Sequence, residues 1–580
     1  MPMNSLLDVM SKIAIINVTV CVVFLYANPL LADGWSDITP NDLKYTHGLT
    51  TMGVTMSDVD QDGDDDLIIA TGASVGGKTL LFVNDGYGNY TDATNGVLEE
   101  YHPVWTPLMG DCDNDGDPDM FYVCFGYQCR LWENKGNYEF TERWGGGILA
   151  KLGNIMARGG AWVDYNNDGL LDLMVSTNAA IPWLGSDKLL RNVNGFLFQD
   201  ATPESFIYPR KGRGIAWADF DDDGDQDLYT VGGTGCPCNW EDLPDNWLDH
   251  AQNRMFRNDE GVLVDVTNDI TIDGLPGRGV AAADYDNDGD IDLYICNVSL
   301  TGNQGNGQIE VYGYNRLLRN DGDFQFVDVT PDILRLPGNE RSAAWFDKDN
   351  DGDLDLLITV MSEVKPTVAL FENNNNGESF SIVNNAVFNL PENIGGSGTG
   401  CGISDIDNDG DLDFMLGYKF GPNQLIQNDL KNKNKWIKVK LIGTISNRDA
   451  IGARVKVRTG STWQTREIQS GSGYWSQHSL IQHFGLGGYE YDISEILVLW
   501  PSGIKQRIFG VGPNQTIEIV EQESLCNADL NNDTEVNIDD LLVLIGAWGK
   551  CDACPSDMNA DGFVNVEDIL LLISAWGPCE

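Results

Sequence analysis

Seven stretches of this chain alternate aspartates around a glycine, in the form Asp-x-Asp-x-Asp-Gly-Asp-x-Asp followed by an apolar residue. At loop positions 1, 3, 5, 7 and 9 the first holds Asp58, Asp60, Asp62, Asp64 and Asp66, and the second Asp111, Asp113, Asp115, Asp117 and Asp119. The third is degenerate, with Asp164, Asn166, Asp168, Leu170 and Asp172. The fourth and fifth hold Asp219, Asp221, Asp223, Asp225, Asp227 and Asp284, Asp286, Asp288, Asp290, Asp292. The sixth and seventh hold Asp347, Asp349, Asp351, Asp353, Asp355 and Asp405, Asp407, Asp409, Asp411, Asp413. Side-chain oxygens at positions 1, 3, 5 and 9, with a glycine at 6 where the backbone must turn sharply, make the oxygen-only cluster that a hard cation such as calcium selects. Carboxylates this close repel one another unless a cation neutralises them.

Elements must hold those loops at regular intervals, and the spacing shows which. Successive loops start 53, 53, 55, 65, 63 and 58 residues apart, a period in the range of propeller blades and too long for a helical solenoid. A small-residue and apolar run precedes each loop, as in RGIAWAD before Phe220, and another follows, as in DLYTV after Gln226. A third run ends in Asn (LLFVN at Leu80, LLRN at Leu189, MFRN at Met255, LLRN at Leu317, LFEN at Leu370), and a fourth has the form YTDAT from Tyr90 or FVDVT from Phe326. Four short strands per unit predict a blade. After LIQN at Leu425 no fourth-strand phrase follows, but WSDIT at Trp35–Thr39 is one, so the N-terminal segment is expected to supply the outer strand of the last blade. Trp105, Trp162, Trp217 and Trp345 each precede a loop and are read as core between blades.

The loops resemble the FG-GAP/VCBS repeats of integrin-α-type propellers over residues 33–429. That resemblance implies a seven-bladed β-propeller, with calcium held by side chains at positions 1, 3, 5 and 9 and by the backbone carbonyl at position 7, Leu170 included.

The formal net charge is -52 over 580 residues, and five aspartates in each of six loops with three in the other put 33 of the 88 acidic residues in the repeats. The acidity is thus patterned, and with aromatics at a tenth of the chain it does not describe a disordered tail. No basic patch offsets it, which speaks against nucleic acid as a partner. Residues 1–32 read as a secretory signal peptide, with Lys12 before the apolar stretch from Ile13 to Ala27 and small residues at Ala27 and Ala32; an uncleaved anchor is the alternative, and membrane contact is expected only through this segment. Twelve cysteines suit an oxidising compartment. Cys124 and Cys129 could close a short hairpin, Cys236 and Cys238 are too close for an easy bond, and at least one thiol should be free and buried in a blade.

Residues 430–523 alternate apolar and polar (WIKVKL, ARVKV, ILVLW) and predict a small β-domain. NRDAIGARVKV from Asn447, SGSGYWSQ from Ser470, FGLG from Phe484 and WPSG from Trp500 resemble the ASPIC/UnbV domain that follows such propellers in cartilage-acidic-protein-like chains. His478 and His483 fall here and are read as hydrogen-bonded strand or loop histidines, with a catalytic pair as the alternative.

Residues 524–580 repeat with a period of 28, mapping Cys526 to Cys554 and Cys551 to Cys579. Each copy is a twelve-position loop followed by a helix, with Asp529, Asn531, Asp533, Asn537 and Asp540 in one and Asp557, Asn559, Asp561, Asn565 and Asp568 in the other. Leu541, Leu544, Ile545 and Trp548, like Ile569, Leu572, Ile573 and Trp576, recur at helical spacing, and Gly549 and Gly577 stand where C-terminal caps belong. The pattern is similar to type I dockerins, an EF-hand-like pair, which implies further carbonyl ligands at Glu535 and Phe563. Thr534 replaces the usual loop glycine, and Ile538, Asp539 and Val566, Glu567 replace the pair that contacts cohesin, so a cohesin-like partner is in doubt. Equal 25-residue intervals favour one disulfide per half, against a zinc knuckle at Cys551 and Cys554.

No nucleophile elbow, His-Glu-x-x-His or phosphate-binding loop occurs in the sequence. The reading is a secreted or cell-surface calcium-binding protein that binds an extracellular protein or glycan, anchored through its C-terminal module to a cohesin-like or cell-surface receptor. The alternative is an extracellular carbohydrate-active enzyme, of lyase or hydrolase type, acting on polysaccharide. A cluster of Lys, Arg, His or Tyr converging on the central channel would favour the enzyme, and a smooth aromatic-rich face would favour binding.

Overall fold

A computed structural model describes residues 34–578 apart from 47–48, 73–76, 100–103, 125–128, 144–156, 178–186, 207–211, 234–251, 273–274, 305–306, 312, 337–339, 361–367, 384–396, 420, 430–431, 523–527, 532–534, 551–555 and 559–562. The signal-segment reading, the cysteines at 236, 238, 526, 551, 554 and 579, and Asp533, Thr534, Asn559 and Asp561 lie outside the described residues. The chain is mainly β, and no helix among the described residues is long and apolar enough to cross a membrane.

Seven sheets, each with four antiparallel strands and the first with a short fifth strand added from the second domain, follow one another along residues 51–428, with one outer strand drawn from Trp35–Asp37 and an acidic loop between the first two strands of each. The first strands are Thr51–Ser57, Val104–Gly110, Ala157–Val163, Gly212–Ala218, Gly277–Ala283, Glu340–Phe346 and Gly398–Ser404. They are buried on both faces, which is why they read as small-residue runs without alternation. Each of the seven is neighbour to the next, and the last to the first. In the second and sixth sheets the outer strand departs from the Asp-x-Thr form, with FTER at Phe140–Arg143 and SFSI at Ser379–Ile382. One hairpin, Leu300–Gln304 with Gly307–Val311, is inserted between the second and third strands of the fifth sheet.

The seventh sheet takes its outer strand from the other end of the chain. Trp35–Asp37 pairs with Gln424–Asn428, Trp35 opposite Asn428 and Asp37 opposite Ile426, and the Ile38 amide donates to the Leu425 carbonyl at 3.0 Å. The Trp35 ring is buried 5.3 Å from Phe414.

Corrections concern side chains. Trp162, Trp217 and Trp345 stand two residues before their loops and pack between sheets, but Trp105 stands six before and turns inward onto Trp475 at 4.5 Å. Cys124 and Cys129 are free thiols buried in a sheet core, where burial pushes both above the ordinary thiol pKa; Cys112, Cys296 and Cys401 are also free and buried.

Residues 435–520 form two further sheets, one of three strands and one of four. The segment Gly471–Gln477 leaves them as a finger that enters the ring of first strands. Ser476–Gln477 pairs in parallel with Thr51–Ser57, Gly473 bridges Val280, and the Tyr474 amide donates to Ser342 Oγ at 3.0 Å.

At the C-terminus, helices Ile538–Gly546 and Val566–Ser574 start on Asn537 and Asn565, whose side chains accept from the Asp539 and Glu567 amides. The copies interlock: Glu535–Val536 pairs with Gly577–Pro578, and Gly549–Lys550 with Phe563–Val564. The shared core is small, built on Ala528, Val536, Leu544, Val564 and Leu572. Half of each expected stripe is therefore outside it, with Trp548 51% and Trp576 48% exposed. Gly549 and Gly577 have positive φ, but the C-caps are Ala547 and Ala575, because the glycines serve the turn into the short strands.

Removing residues 33–40 should lower the melting temperature far more than an ordinary terminal truncation, and Trp35→Ala alone should cost about 3 kcal/mol or more. Thermal unfolding of both variants checks this; a loss of only a degree or two would mean the seventh sheet closes without its N-terminal strand.

Candidate metal centres and the axial site

The local backbone of each loop follows from its residue types. Position 6 glycines have φ between 83° and 104°, and position 4 residues also lie in the left-handed region, which is why Asn and Asp dominate there. The position 1 carboxylate accepts the position 6 amide in every loop, at 2.7 Å for Gly116 to Asp111 and 3.2 Å for Gly63 to Asp58. Position 3 and position 5 carboxylates accept the amides two residues on, as in Asp115 to Asp113 and Asp117 to Asp115. Carboxylate oxygens of Asp58, Asp60, Asp62, of Asp111, Asp113, Asp115, and of Asp347, Asp349, Asp351 lie within 4.8 Å of one another, as do those of Asp219, Asp221, Asp227 and Asp284, Asp286, Asp292; these clusters could hold a metal ion. Position 7 side chains turn away to a neighbouring loop: Asn167 donates to Asp225 at 2.8 Å, Asn350 to Asp411 at 2.6 Å, and Gln61 to Asp117.

Position 9 ties loop to sheet. Asp227 accepts the Phe220 amide at 2.8 Å and the Asn258 amide at 2.7 Å, and Asp66, Asp119, Asp292, Asp355 and Asp413 repeat the pattern. The third-strand Asn so fixed then donates its carboxamide to the position 2 carbonyl of the preceding loop. Asn134 reaches Val59, Asn192 Cys112, Asn258 Tyr165, Asn320 Phe220, Asn373 Tyr285 and Asn428 Lys348, all at 2.7 to 3.0 Å. Asn84 reaches Ile406 at 2.8 Å, joining the first sheet to the seventh.

The domain at 435–520 lies on the loop face. Lys438 Nζ is 2.6 Å from Asp405 and Lys440 Nζ 3.3 Å from Asp58, both position 1 carboxylates. Arg454 reaches Asp219, Glu467 at 3.2 Å and Asp222, the one position 4 residue that cannot donate to the next loop. Asp449 accepts the Asp111 amide at 2.7 Å.

Without an ion the loops are electrostatically strained. Burial, then neighbouring carboxylates, push Asp58, Asp221, Asp286 and Asp351 up to about 6 and Asp164, Asp284 and Asp347 to about 7. Burial lifts Asp66, Asp111 and Asp119 to about 8 and Asp172 and Asp227 to about 9, and it holds Asp292, Asp355 and Asp413 well above the usual carboxylate range.

In the C-terminal copies, Asp540 accepts the Leu530 and Asn537 amides at 2.8 Å each, and Asp568 the Met558 amide at 2.8 Å and the Asn565 amide at 2.7 Å. Both are fully buried at the hub of their loops. Asp529, Asn531, Glu535, Asp557 and Phe563 are described beside them.

The two histidines of the second domain do not form a pair with each other. His483 Nε2 shares a 3.0 Å hydrogen bond with the Gly410 carbonyl, and both ring nitrogens of His478 are buried without a partner among the described residues, beside a cavity of about 130 Å³. Burial lowers His478 to about 4 and His483 to about 3, so both are neutral.

Arginines went unnoticed in the sequence, although their signal is there. Arg158, Arg213, Arg278 and Arg341 each stand six residues before a loop, in the bulge of four consecutive first strands, around the Tyr474–Trp475 tip of the finger.

Comparison with known proteins agrees with this division. The FG-GAP-like repeat model matches residues 58–122, 111–175 and 303–358, and the ASPIC and UnbV model matches residues 443–525. The chain carries FG-GAP-like repeats and an ASPIC and UnbV domain. It is 24% identical over 541 residues to human cartilage acidic protein 1, covering 85% of this chain and 76% of that one. Cartilage acidic protein 1 of Xenopus tropicalis is 22% identical over 518 residues (82% and 74%), and that of mouse 24% over 540 (85% and 77%).

The raised carboxylate pKa values set a sign for pH. A group whose folded pKa lies above its unfolded value stabilises the fold fully only below the unfolded value, near 4, and that contribution is lost as pH rises through the folded one. Protein stripped with EDTA should thus melt progressively lower between pH 5 and pH 9, while protein in millimolar calcium should not. Differential scanning calorimetry checks this; parallel curves with and without the cation would contradict it.

Proposed function

We propose that this chain is a secreted, calcium-binding protein of extracellular adhesion or surface assembly. In this reading residues 33–429 are a seven-bladed propeller, each acidic loop holds one calcium ion, residues 430–523 clamp the loop face, and residues 524–580 are a dockerin-like, calcium-dependent anchor. The observation that carries it is the burial of the position 1 and position 9 carboxylates between sheets and beneath the second domain, which suits structural ions better than ions that meet a substrate. The likeness to cartilage acidic protein 1 supports an extracellular setting.

The C-terminal helices supply the surface for anchoring. Leu542 and Ile545 on one helix with Trp548 just past its end, and Leu570 and Ile573 on the other with Trp576 just past its end, are 48% to 62% exposed around a core too small to use them. The partner is an extracellular protein or glycan receptor with an apolar groove. The enzyme reading keeps one observation in its favour, the convergence of Arg158, Arg213, Arg278, Arg341 and Tyr474; release of unsaturated sugars from a uronate polysaccharide would establish it.

Replacing Trp548 and Trp576 together by Ser should abolish retention of the full-length protein on cell-envelope or matrix preparations while leaving its melting temperature within a degree. Asp540→Ala with Asp568→Ala should also abolish retention, here through loss of the C-terminal loops that these buried carboxylates hold. Undiminished retention of both variants in a sedimentation assay would remove the anchor from this reading.

A further inference from the structure

Six residues before its loop, each first strand bulges, and in the third to sixth sheets the bulge residue is an arginine. The arginine backbones are fixed in series. Trp475 Nε1 donates to the Arg158 carbonyl at 2.7 Å. The Arg213 carbonyl faces Gly159, the Arg278 carbonyl Gly214 and the Arg341 carbonyl Gly279, so closely that a Cβ on those glycines would lie 2.5 to 2.7 Å from the oxygen. Only glycine admits that approach, which explains the recurring Arg-Gly pair. Four arginines are thereby brought to one level of the first strands in a protein of net charge -52, and the Arg213 guanidinium also donates to the Gly212 carbonyl at 3.2 Å.

Aromatic rings pack against them. Arg158 Cζ lies 4.5 Å from the Trp105 ring centroid and Arg341 Cζ 4.9 Å from that of Trp475, whose faces also meet Trp105 and Tyr474. Trp475 holds φ at 62°, a conformation uncommon for an aromatic residue and one that functional sites tend to retain. Arg213 and Arg341 are 4% and 5% exposed. The Tyr474 hydroxyl is buried beside Arg278 and Arg341 and has no hydrogen-bond partner among the described residues, although the residue is only 2% exposed. Burial and then mutual repulsion lower the pKa of Arg341, and burial lowers Arg278 to about 10 and Lys419 beside them.

We propose that Arg158, Arg213, Arg278 and Arg341, with the Tyr474 hydroxyl as a further donor, form a binding site for an oxyanion group with two or more acceptor oxygens, such as a carboxylate or sulfate. Guanidinium forks meet such a group in bidentate fashion, and charge-assisted hydrogen bonds in a low-dielectric site are the strong ones. Free inorganic anions and the acidic sugars of a glycan share this chemistry. The site lies six residues, about 20 Å of extended strand, from the loop end of the ring, so it is separate from the metal centres and does not rest on the calcium reading; it uses the arginines that the enzyme reading invokes, but asks only for anion binding and not for cleavage.

Isothermal titration of the full-length, calcium-loaded protein at constant ionic strength tests this with three probes: sodium sulfate, sodium phosphate and trigalacturonate. Saturable binding of at least one probe is expected. Arg278→Gln should weaken it about tenfold or more and Tyr474→Phe several-fold, since each removes a donor to a charged acceptor. Tyr474→Phe keeps the ring on Trp475, and an unchanged melting temperature shows that it folds. Sulfate or phosphate binding assigns a free anion, and binding of trigalacturonate above either assigns an acidic glycan. No saturable binding of any probe, or equal binding by parent and both variants, would overturn the proposal.

Discussion

The structure depends on one hydrogen bond made seven times: the carboxamide of a third-strand asparagine donating to the position 2 carbonyl of the loop before it. Each asparagine is itself seated by a buried position 9 aspartate or its counterpart, so loop, sheet and neighbouring sheet are fixed by one chain of contacts. Breaking it leaves a buried carbonyl without a donor, at a cost of about 1 to 3 kcal/mol per site. Because Asn84 reaches Ile406, the series has no loose end among the described residues. The bond also requires a buried carboxylate in every loop, and this is where stability and metal affinity become the same question.

Charge is distributed along the axis accordingly. At the loop end, aspartates crowd together and are met by Lys438, Lys440 and Arg454 from the second domain at three of the loops. Three cations do not offset so many carboxylates, and the proposed calcium ions would supply the remainder. Toward the other end of the same strands the sign reverses at the arginine arc. The finger from the second domain spans both regions, since Gln477 exchanges two hydrogen bonds with Met109 while Trp475 reaches Arg158.

Much of this was legible in the chain. The period placed every loop and the strands that flank it, because Asp, Gly and the closing Asn are demanded locally by left-handed backbone and buried carboxylates, but it gave no sign of the hairpin Leu300–Gln304 with Gly307–Val311. The transfer of Trp35–Asp37 to the last sheet was legible too, since a missing strand phrase at one end matched a surplus one at the other. What was not legible depends on distant packing. SGSGYWSQ gave a domain resemblance but no sign that it enters the ring, and the arginines were hidden because a bulge residue is recognised only once the strands are paired. Cys124 and Cys129 flank a turn closely enough to suggest a bond, yet sit as separate thiols in the core. The C-terminal stripe showed the helices but not how few of its residues the small core could take.

Calcium content measured by elemental analysis on gel-filtered, full-length Asp540→Ala/Asp568→Ala protein tests the central claim most directly, because it removes the C-terminal contribution and counts only the repeats. The account predicts seven ions per chain, one for each loop, the degenerate loop at Asp164 included. Two ions or fewer would contradict it, and would mean that the buried aspartates are held by protons and by the second domain's lysines and arginine instead of metal.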